Sequence, residues 1–296
     1  MDKKIAFIGA GSMAESIIGG LIADGLLPPH YILASNHSNE ARLAHLKETY
    51  GIRPFSDSAE AAAEADIVIL SIKPKQLEDA LQAAAPGLTK DKVIFSVLAG
   101  IKTNQIEEQL HHNNPVIRVM PNTSAKVGQS STALAKGVHA RDEHLQAASE
   151  LFSAIGTAVV VKEEDMNAVT GIAGSGPAYF YYFAEAMEQA AAASGLPKEE
   201  ARDLIIQTMF GAAVRMRESG QTSAELYQEV RSPGGTTEAA FQEMEKHNLQ
   251  DAFKKSVQAA ISRSAALGEQ NSPPDSPDTG MNNADMPPNS KRSLGQ

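Results

Sequence analysis

The chain has 296 residues, enough for one large domain or two of moderate size, and enough to bury a core without disulfide staples. Hydrophobic residues make up 42% and charged residues 21%, while 26 Lys and Arg against 36 Asp and Glu leave a net charge of -10, which argues against a general binder of nucleic acid or anionic membrane. There is no Cys, so disulfides, thiolate zinc sites, iron–sulfur clusters and a Cys nucleophile are excluded together, and a reducing compartment is expected.

The charged opening and the apolar run Ile5-Ala6-Phe7-Ile8 have the outline of a secretion signal, but Gly9, Gly11 and Glu15 interrupt the run early. No later stretch approaches the roughly 18 uncharged apolar residues of a membrane helix. A cytoplasmic protein without a membrane partner is expected. From residue 5 to about 161, short β-rich runs alternate with segments of helical period. Strands are predicted at 5–8, 31–34, 67–70, 93–97, 116–120 and 158–161. Between the first two, Ala14, Ile17, Ile18, Leu21 and Ile22 follow the spacing of a helix that covers a sheet. A further helix is predicted over 104–110, capped by Thr103. This alternation implies an α/β fold with a mostly parallel, doubly wound sheet.

After Val161 the texture changes: β-branched runs vanish, and Ala, Glu, Met and Gln dominate to about Leu267. Helices are predicted to start near Glu164, Pro177, Pro197, Ser223, Gly234 and Asn248, each marked by a cap residue, Pro or Gly. The aromatic run 180–183 reads either as core packing or as a subunit contact. From Glu269 to Gln296 the chain is rich in Pro, Asn, Ser and Asp, a composition that buries too little apolar surface to offset its ordering entropy, and a disordered tail is predicted. The expected domains are therefore 1–161, 162–268 and the tail 269–296.

Gly9-Ala10-Gly11-Ser12-Met13-Ala14 lies directly between the first strand and the first helix. Gly9 permits a tight turn, Gly11 lets a pyrophosphate approach the backbone, and Ala14 allows close packing of helix on strand. The amides at the helix start, at Ser12 and Met13, then face the phosphates. A plain Gly-rich turn also fits this motif alone; its strand–turn–helix context favours a dinucleotide in a Rossmann-like domain. An acid about 20 residues further on would hold a ribose diol. Here the second strand runs instead into Ser35-Asn36-His37-Ser38, with Arg42 nearby, donors that suit a 2'-phosphate. NADPH is expected, with NADH the weaker alternative; the other reading of Ser35 to Ser38 is a polar turn and helix cap.

The second concentrated signal is Arg231-Ser232-Pro233-Gly234-Gly235-Thr236-Thr237-Glu238, ahead of an amphipathic helix carrying Ala240, Phe241 and Met244. A forced turn, free helix-start amides and three hydroxyls make a compact carboxylate receptor. Equally, Thr236 or Thr237 reads as a plain N-cap. Adjacent His111 and His112 point apart on a helix and cannot chelate one ion. His139 and His144 are five apart, and no metal site is expected.

With these residues in view, the chain resembles the pyrroline-5-carboxylate reductases, enzymes of the last step of proline biosynthesis, over residues 1–268. Residues 232–244 are similar to that family's C-terminal signature. Further matches are Ser71-Ile72-Lys73-Pro74, Ser96-Val97-Leu98-Ala99-Gly100, Arg118-Val119-Met120-Pro121-Asn122-Thr123 and Ala173-Gly174-Ser175-Gly176-Pro177-Ala178-Tyr179. The resemblance implies that Lys73, Pro74, Ala99 and Asn122 sit near the nicotinamide end of NADPH. It also implies that Ser232, Gly235, Thr236 and Thr237 hold the pyrroline and its carboxylate. An all-α C-terminal domain that forms a homodimer, often assembled further, is implied as well. Three positions depart from the pattern: His37 stands where the family often has Arg, Ser124 where Pro usually follows Asn-Thr, and Phe241 where a smaller aliphatic is usual.

The expected reaction is NADPH-dependent reduction of 1-pyrroline-5-carboxylate to L-proline, with Thr237 as the catalytic hydrogen-bonding group at the imine nitrogen. A hydroxyl is a poor general acid, so orientation or a relay through water is its expected part. Hydroxyacid dehydrogenases of similar build are the rival enzyme class, and they place a catalytic Lys on the interdomain helix. This sequence has no Lys, Arg or His between Lys162 and Lys198, which argues for an imine. A non-catalytic NADPH-binding regulator is the rival outside enzymes.

Overall fold

The computed structural model describes residues 2–270. The tail predicted for 269–296 lies, from residue 271 on, outside the described residues. Eight strands form one sheet: β1 (Ile5–Ile8), β2 (Ile32–Ser35), β3 (Arg53–Phe55), β4 (Ile67–Leu70), β5 (Val93–Ser96), β6 (Val116–Met120), β7 (Ser130–Lys136) and β8 (Gly156–Val160). Their spatial order is β3-β2-β1-β4-β5-β6-β7-β8, parallel throughout except between β6 and β7. The chain moves outward from β1 to β3 and then returns to β4 on the other side of β1. That reversal makes the C-terminal ends of β1 and β4 a topological switch point, where ligands bind in open sheets of this kind.

Six helices cover the sheet: α1 (Ser12–Asp24), α2 (Glu40–Tyr50), α3 (Ser58–Glu64), α4 (Leu77–Ala84), α5 (Thr103–Glu107) and α6 (Asp142–Ser153). The strands β1, β2, β4, β5 and β6 are buried at every residue because both faces are covered. On one face Ile17, Ile18 and Leu21 of α1 pack against Ile5, Phe7 and Ile69, together with Leu151 and Phe152 of α6. On the other, Leu77 and Leu81 of α4 pack against Ile8, Val68, Leu70 and Ile94. Each such fully buried side chain contributes about 1.5–3 kcal/mol. Packing therefore holds α1 in place even though its N-cap, Gly11, offers no side chain to its first amides.

The helical part follows: α7 (Met166–Val169), a π-helical segment Thr170–Gly174, then α8 (Gly176–Ala193), α9 (Lys198–Glu218), α10 (Ser223–Glu229), α11 (Thr236–Lys246) and α12 (Leu249–Gln270). Two straps tie this part to β6 and the segment that follows it. Arg118, 1% exposed, places Nη1 2.8 Å from Glu163 Oε1, and Asn122 Nδ2 donates to Ala173 O at 3.0 Å. A buried pair of this kind is costly to break from one side, by about 3–5 kcal/mol.

Several sequence expectations are corrected. Strands β3 and β7 were not predicted. The first has three residues with Pro54 inside, tolerable because β3 is a sheet edge. The second is Ser-Ser-Thr-Ala-Leu-Ala-Lys, whose small side chains carry little strand signal but fit between two neighbours. The strand predicted at 158–161 starts earlier, at Gly156, and those predicted at 31–34 and 93–97 are β2 and β5 with ends moved by one residue. Thr103 is not a cap but the first residue of α5; Lys102 precedes it, with its N–H donated to Gln105 Oε1 at 2.8 Å. The helix expected near Glu164 begins with a 3-10 turn, Glu163–Asp165.

The run 180–183 is mostly outside the core of the chain. Phe180, Tyr181 and Tyr182 are 61%, 65% and 71% exposed, and only Phe183 turns inward, onto Phe253 at 5.4 Å between ring centroids. On α9, Leu204, Ile206 and Phe210 are exposed too. Among the described residues no helix is long and apolar enough to cross a membrane.

Candidate functional site

A cleft of about 1120 Å³ opens at the switch point. Gly9 closes its floor with φ +101°. The Gly9 N–H donates to Ser35 O at 3.0 Å, and Ser71 Oγ donates to Gly9 O at 2.7 Å, so the turn is pinned to β2 and to the end of β4. A Cβ on Gly9 would stand 2.6 Å from Ser71 O, which only glycine avoids. Gly11 differs: its φ of -74° suits any residue, and a Cβ there would meet only Ser71 O, at 4.0 Å. Its bareness serves the cleft and not the fold. Ser12 and Met13 line the same wall, where the first amides of α1 have no intrahelical acceptor. Ala14 is fully buried beneath the turn and packs α1 on the sheet; it does not line the cleft.

The opposite wall carries Ser35, Asn36, His37, Ser38, Asn39 and Arg42. Ser35 is buried with its Oγ 3.0 Å from Ser58 Oγ, while His37 is exposed. Asn39 Oδ1 accepts the N–H of Arg42 at 2.9 Å and caps α2. The Arg42 side chain reaches back across the cleft, its Nε donating to Ala10 O at 2.8 Å and its Nη2 paired with Glu15. That guanidinium holds the Glu15 carboxyl below the usual carboxylate range, against the opposing effect of burial. The sequence reading missed Glu15 in this role. It also missed Ser56, Asp57 and Ser58 on the cleft wall, because it missed β3. The signal was present: Asp57 before an Ala-rich helix is an N-cap, and its Oδ1 accepts the Ala59 N–H at 2.7 Å.

Lys73 lines the cleft just beyond β4, but Pro74, Ala99 and Asn122 do not. Pro74 opens a 3-10 turn that Lys73 precedes. Ala99 packs with Met120 and Met166 where the sheet meets the helical part. Asn122 is 6% exposed and its amide is committed to structure: Oδ1 accepts the Ser124 N–H at 3.0 Å while Nδ2 holds Ala173 O. A proline at 124 has no N–H to donate, so this contact belongs to the departure from the family pattern. All four residues still follow the C-terminal ends of β4, β5 and β6, the ligand edge of the sheet.

The second motif forms a separate feature. Gly234 turns at φ +70°, and a Cβ on Gly235 would lie 2.5 Å from Ser232 Oγ. The N-cap of α11 is Gly235, which overturns the reading of Thr236 or Thr237 as the cap. Those two are the first helical residues, and among the described residues their hydroxyls have no hydrogen-bond partner. Glu238 Oε2 accepts the Gly234 N–H at 2.6 Å and braces the turn. Phe241 stacks on Tyr227 at 5.2 Å, with Arg231 over its other contacts at 5.7 Å and held to Glu245 at 2.9 Å. The aromatic ring at 241 thus joins α10 to α11. None of Ser232, Gly235, Thr236 or Thr237 lines the cleft of the same chain. Of the histidines, His144 serves α6, where Nδ1 accepts the Arg141 N–H at 3.0 Å and burial pushes the imidazolium form down.

A doubly wound sheet with a glycine turn at its switch point and an uncapped helix start beside it defines a dinucleotide-dependent oxidoreductase fold. Comparison with known proteins agrees. Residues 4–100 match the family model described as NADP oxidoreductase coenzyme F420-dependent, and residues 163–267 match pyrroline-5-carboxylate reductase dimerisation. Pyrroline-5-carboxylate reductase 2 of Bacillus subtilis is 43% identical over 268 residues, 90% of this chain and 96% of that protein. The solved pyrroline-5-carboxylate reductase of Coxiella burnetii superposes with a TM-score of 0.79 at 35% identity, covering 90% of this chain and 99% of the other. That of Plasmodium falciparum, solved with NADP bound, gives 0.83 at 26% identity, with 90% and 98% covered. The chain belongs to the pyrroline-5-carboxylate reductase family.

Proposed function

We propose that this protein uses NADPH to reduce 1-pyrroline-5-carboxylate to L-proline, with residues 1–161 as cofactor domain and 162–268 as substrate and dimerisation domain. The observation that carries this reading is the pairing of a glycine-turn cleft with an uncapped helix start whose two threonine hydroxyls have no protein partner. The cofactor fits the cleft: Gly11 leaves room at its wall and the amides of Ser12 and Met13 await an anion. When bound, the reduced nicotinamide supplies the hydride. The glycine turn holds the pyrophosphate, and Ser35, Asn36 and His37 hold the 2'-phosphate with Arg42 behind them. Lys73, Pro74, Ala99 and Asn122 shape the nicotinamide end.

Ser232, Gly235 and Thr236 receive the carboxylate of the imino acid. Thr237 orients the imine nitrogen and relays its proton through water. Since these four residues stand apart from the cleft of their own chain, and since α8 and α9 expose Phe180, Tyr181, Tyr182 and Phe210, we infer a homo-oligomer in which a second copy covers those faces and completes the site. A cytoplasmic enzyme with no nucleic-acid partner accords with the net charge of -10.

Loss of NADPH absorbance should occur when a cyclic imino acid is added, and proline should accumulate in equal amount. Six-membered imino acids and 3-oxoacids are the comparison substrates. Robust reduction of a 3-oxoacid without imine reduction would overturn the assignment.

The exposed His37 allows a separate test of 2'-phosphate binding. Imidazole is the side chain whose ordinary charge change falls between about pH 5 and 8. A phosphate beside it favours the charged form, so binding takes up protons and NADPH affinity should weaken from about pH 6 to 8. The second ionisation of the phosphate, near about pH 6, acts in the opposite sense and is shared by all variants. NADH should lack the slope, and His37→Arg should remove it while raising preference for NADPH. Identical slopes by calorimetric titration in wild type and His37→Arg would assign the phosphate to Ser35, Asn36 or Arg42.

A further inference from the structure

The last turn of α12 ends against the loop that follows β5. Gly100 in that loop has φ +79°, and a Cβ on it would stand 3.0 Å from Gly268 N and 3.1 Å from Leu267 Cβ. The fit is closer still from the other side, since a Cβ on Gly268 would lie 2.4 Å from Gly100 O. Gln105, 5% exposed, grips both partners: its Nε2 donates to Gly268 O at 3.2 Å and its Oε1 accepts the Lys102 N–H at 2.8 Å. Farther back, α12 is seated on the junction between sheet and helices. Ser264 Oγ meets Asn167 Oδ1 at 3.0 Å, and Gly171 of the π-helical segment comes so near that a Cβ would be 2.5 Å from Ile261 Cγ1.

The helix is also the direct continuation of the substrate motif. Only His247 and Asn248 separate α11 from α12, and Asn248 makes the corner at φ +50°, a conformation Asn tolerates better than most residues. One end of this two-helix unit carries Thr236 and Thr237, and the other seats the loop whose Ala99 shapes the nicotinamide end.

We propose that Gly268 is a positioning residue for hydride transfer: because it has no side chain, the last turn of α12 closes on Gly100 and sets the height of the 99–101 loop. The inference rests on the placement of Ala99 at the nicotinamide end. Nothing in the predicted motifs included Gly268, and the dimerisation match stops one residue before it. A methyl at 268 meets a backbone carbonyl, which cannot rotate away, so the loop must shift by a substantial part of an ångström. Displacements of that size at a reacting centre are costly in rate even when binding is kept.

The test compares Gly268→Ala and Gln105→Glu, in which the second keeps size and the acceptor for Lys102 but loses the donor to Gly268. Glu269→Ala, an exposed neighbour on the same turn, serves as control. Both test variants should lower kcat about tenfold with the KM for pyrroline-5-carboxylate kept within about twofold. They should leave the affinity for adenosine 2',5'-bisphosphate unchanged, because that probe reads only the far half of the cleft. The emission of bound NADPH, which reports on the reduced nicotinamide, should shift in both and not in Glu269→Ala. Wild-type kcat in both variants alongside a slow Ala99→Val would overturn the inference and leave the site reading standing. Wild-type rates in all three would overturn the placement of the nicotinamide end together with it. Loss of adenosine 2',5'-bisphosphate affinity in step with kcat would show a structural role alone and would overturn it as well.

Discussion

Gly11→Ala should leave the melting temperature of the unliganded protein unchanged and weaken NADPH binding by on the order of a hundredfold, whereas Gly9→Ala should lose stability and binding together. The contrast follows from two different uses of glycine in one turn. At Gly11 the backbone lies at φ -74° and ψ -174°, open to alanine, and the nearest atom to an added Cβ is 4.0 Å away. The new methyl therefore costs the fold nothing and stands where the pyrophosphate must come close. An anion held off the α1 amides loses charge-assisted hydrogen bonds worth about 1.5–3 kcal/mol each. Two weakened contacts of that size account for about two decades in affinity. At Gly9 the φ of +101° and the Ser71 carbonyl 2.6 Å from an added Cβ leave no relaxed position for a side chain. Backbone strain of this kind costs on the order of 1–3 kcal/mol before the displacement of Ser71 is added. Thermal melts without ligand and calorimetric titration with NADPH separate the two cases. Wild-type affinity in Gly11→Ala would remove the glycine turn from the cofactor site.

Thr237→Ala should lower kcat by roughly tenfold to a hundredfold and change the KM for pyrroline-5-carboxylate by less than about threefold. The hydroxyl has no partner in the described residues and Gly235 holds the N-cap position, so its removal takes no contact from the fold. The motif around it is braced independently by Glu238 on Gly234 and by Arg231 and Tyr227 around Phe241. A contact made as the imine nitrogen changes charge belongs to the transition state, and its loss appears in kcat. Thr237→Ser, which keeps the hydroxyl, should recover most of the rate. An effect confined to KM in Thr237→Ala would make Thr237 a binding group like Ser232, and unchanged kinetics would remove it from the reaction. Melting temperatures of both variants serve as the check that α11 remains intact.

The parts of this protein legible in its sequence are those specified within one element or one turn. The strands 5–8, 67–70 and 116–120 announced themselves because burial on both faces demands continuous apolar residues. The starts of α8 to α12 fell within about two residues of their Pro, Gly and polar markers, since a helix end must be relieved locally. The glycine turn was legible for the same reason, as both its strand and its helix lie within a few residues. Strand β7 was not, because small Ser and Ala side chains become a strand only through the neighbours β6 and β8 that satisfy their backbone.

Contacts across long separations stayed hidden, and they decide how the site is assembled. Arg42 reaches Glu15 across 27 residues, Asn122 reaches Ala173 across 51, and Gln105 reaches Gly268 across 163. Periodicity states which side of a helix or strand a residue occupies, but not which other side will face it. That depends on how all the covered faces of the sheet are filled at once. The same limit left two readings of residues 180–183, and the fold chose between them by burying Phe183 on Phe253 and leaving the other three outside. It also separated the threonine motif from the cleft of its own chain, because the position of α11 is set by its packing on α10 and α12 and not by the chemistry it carries.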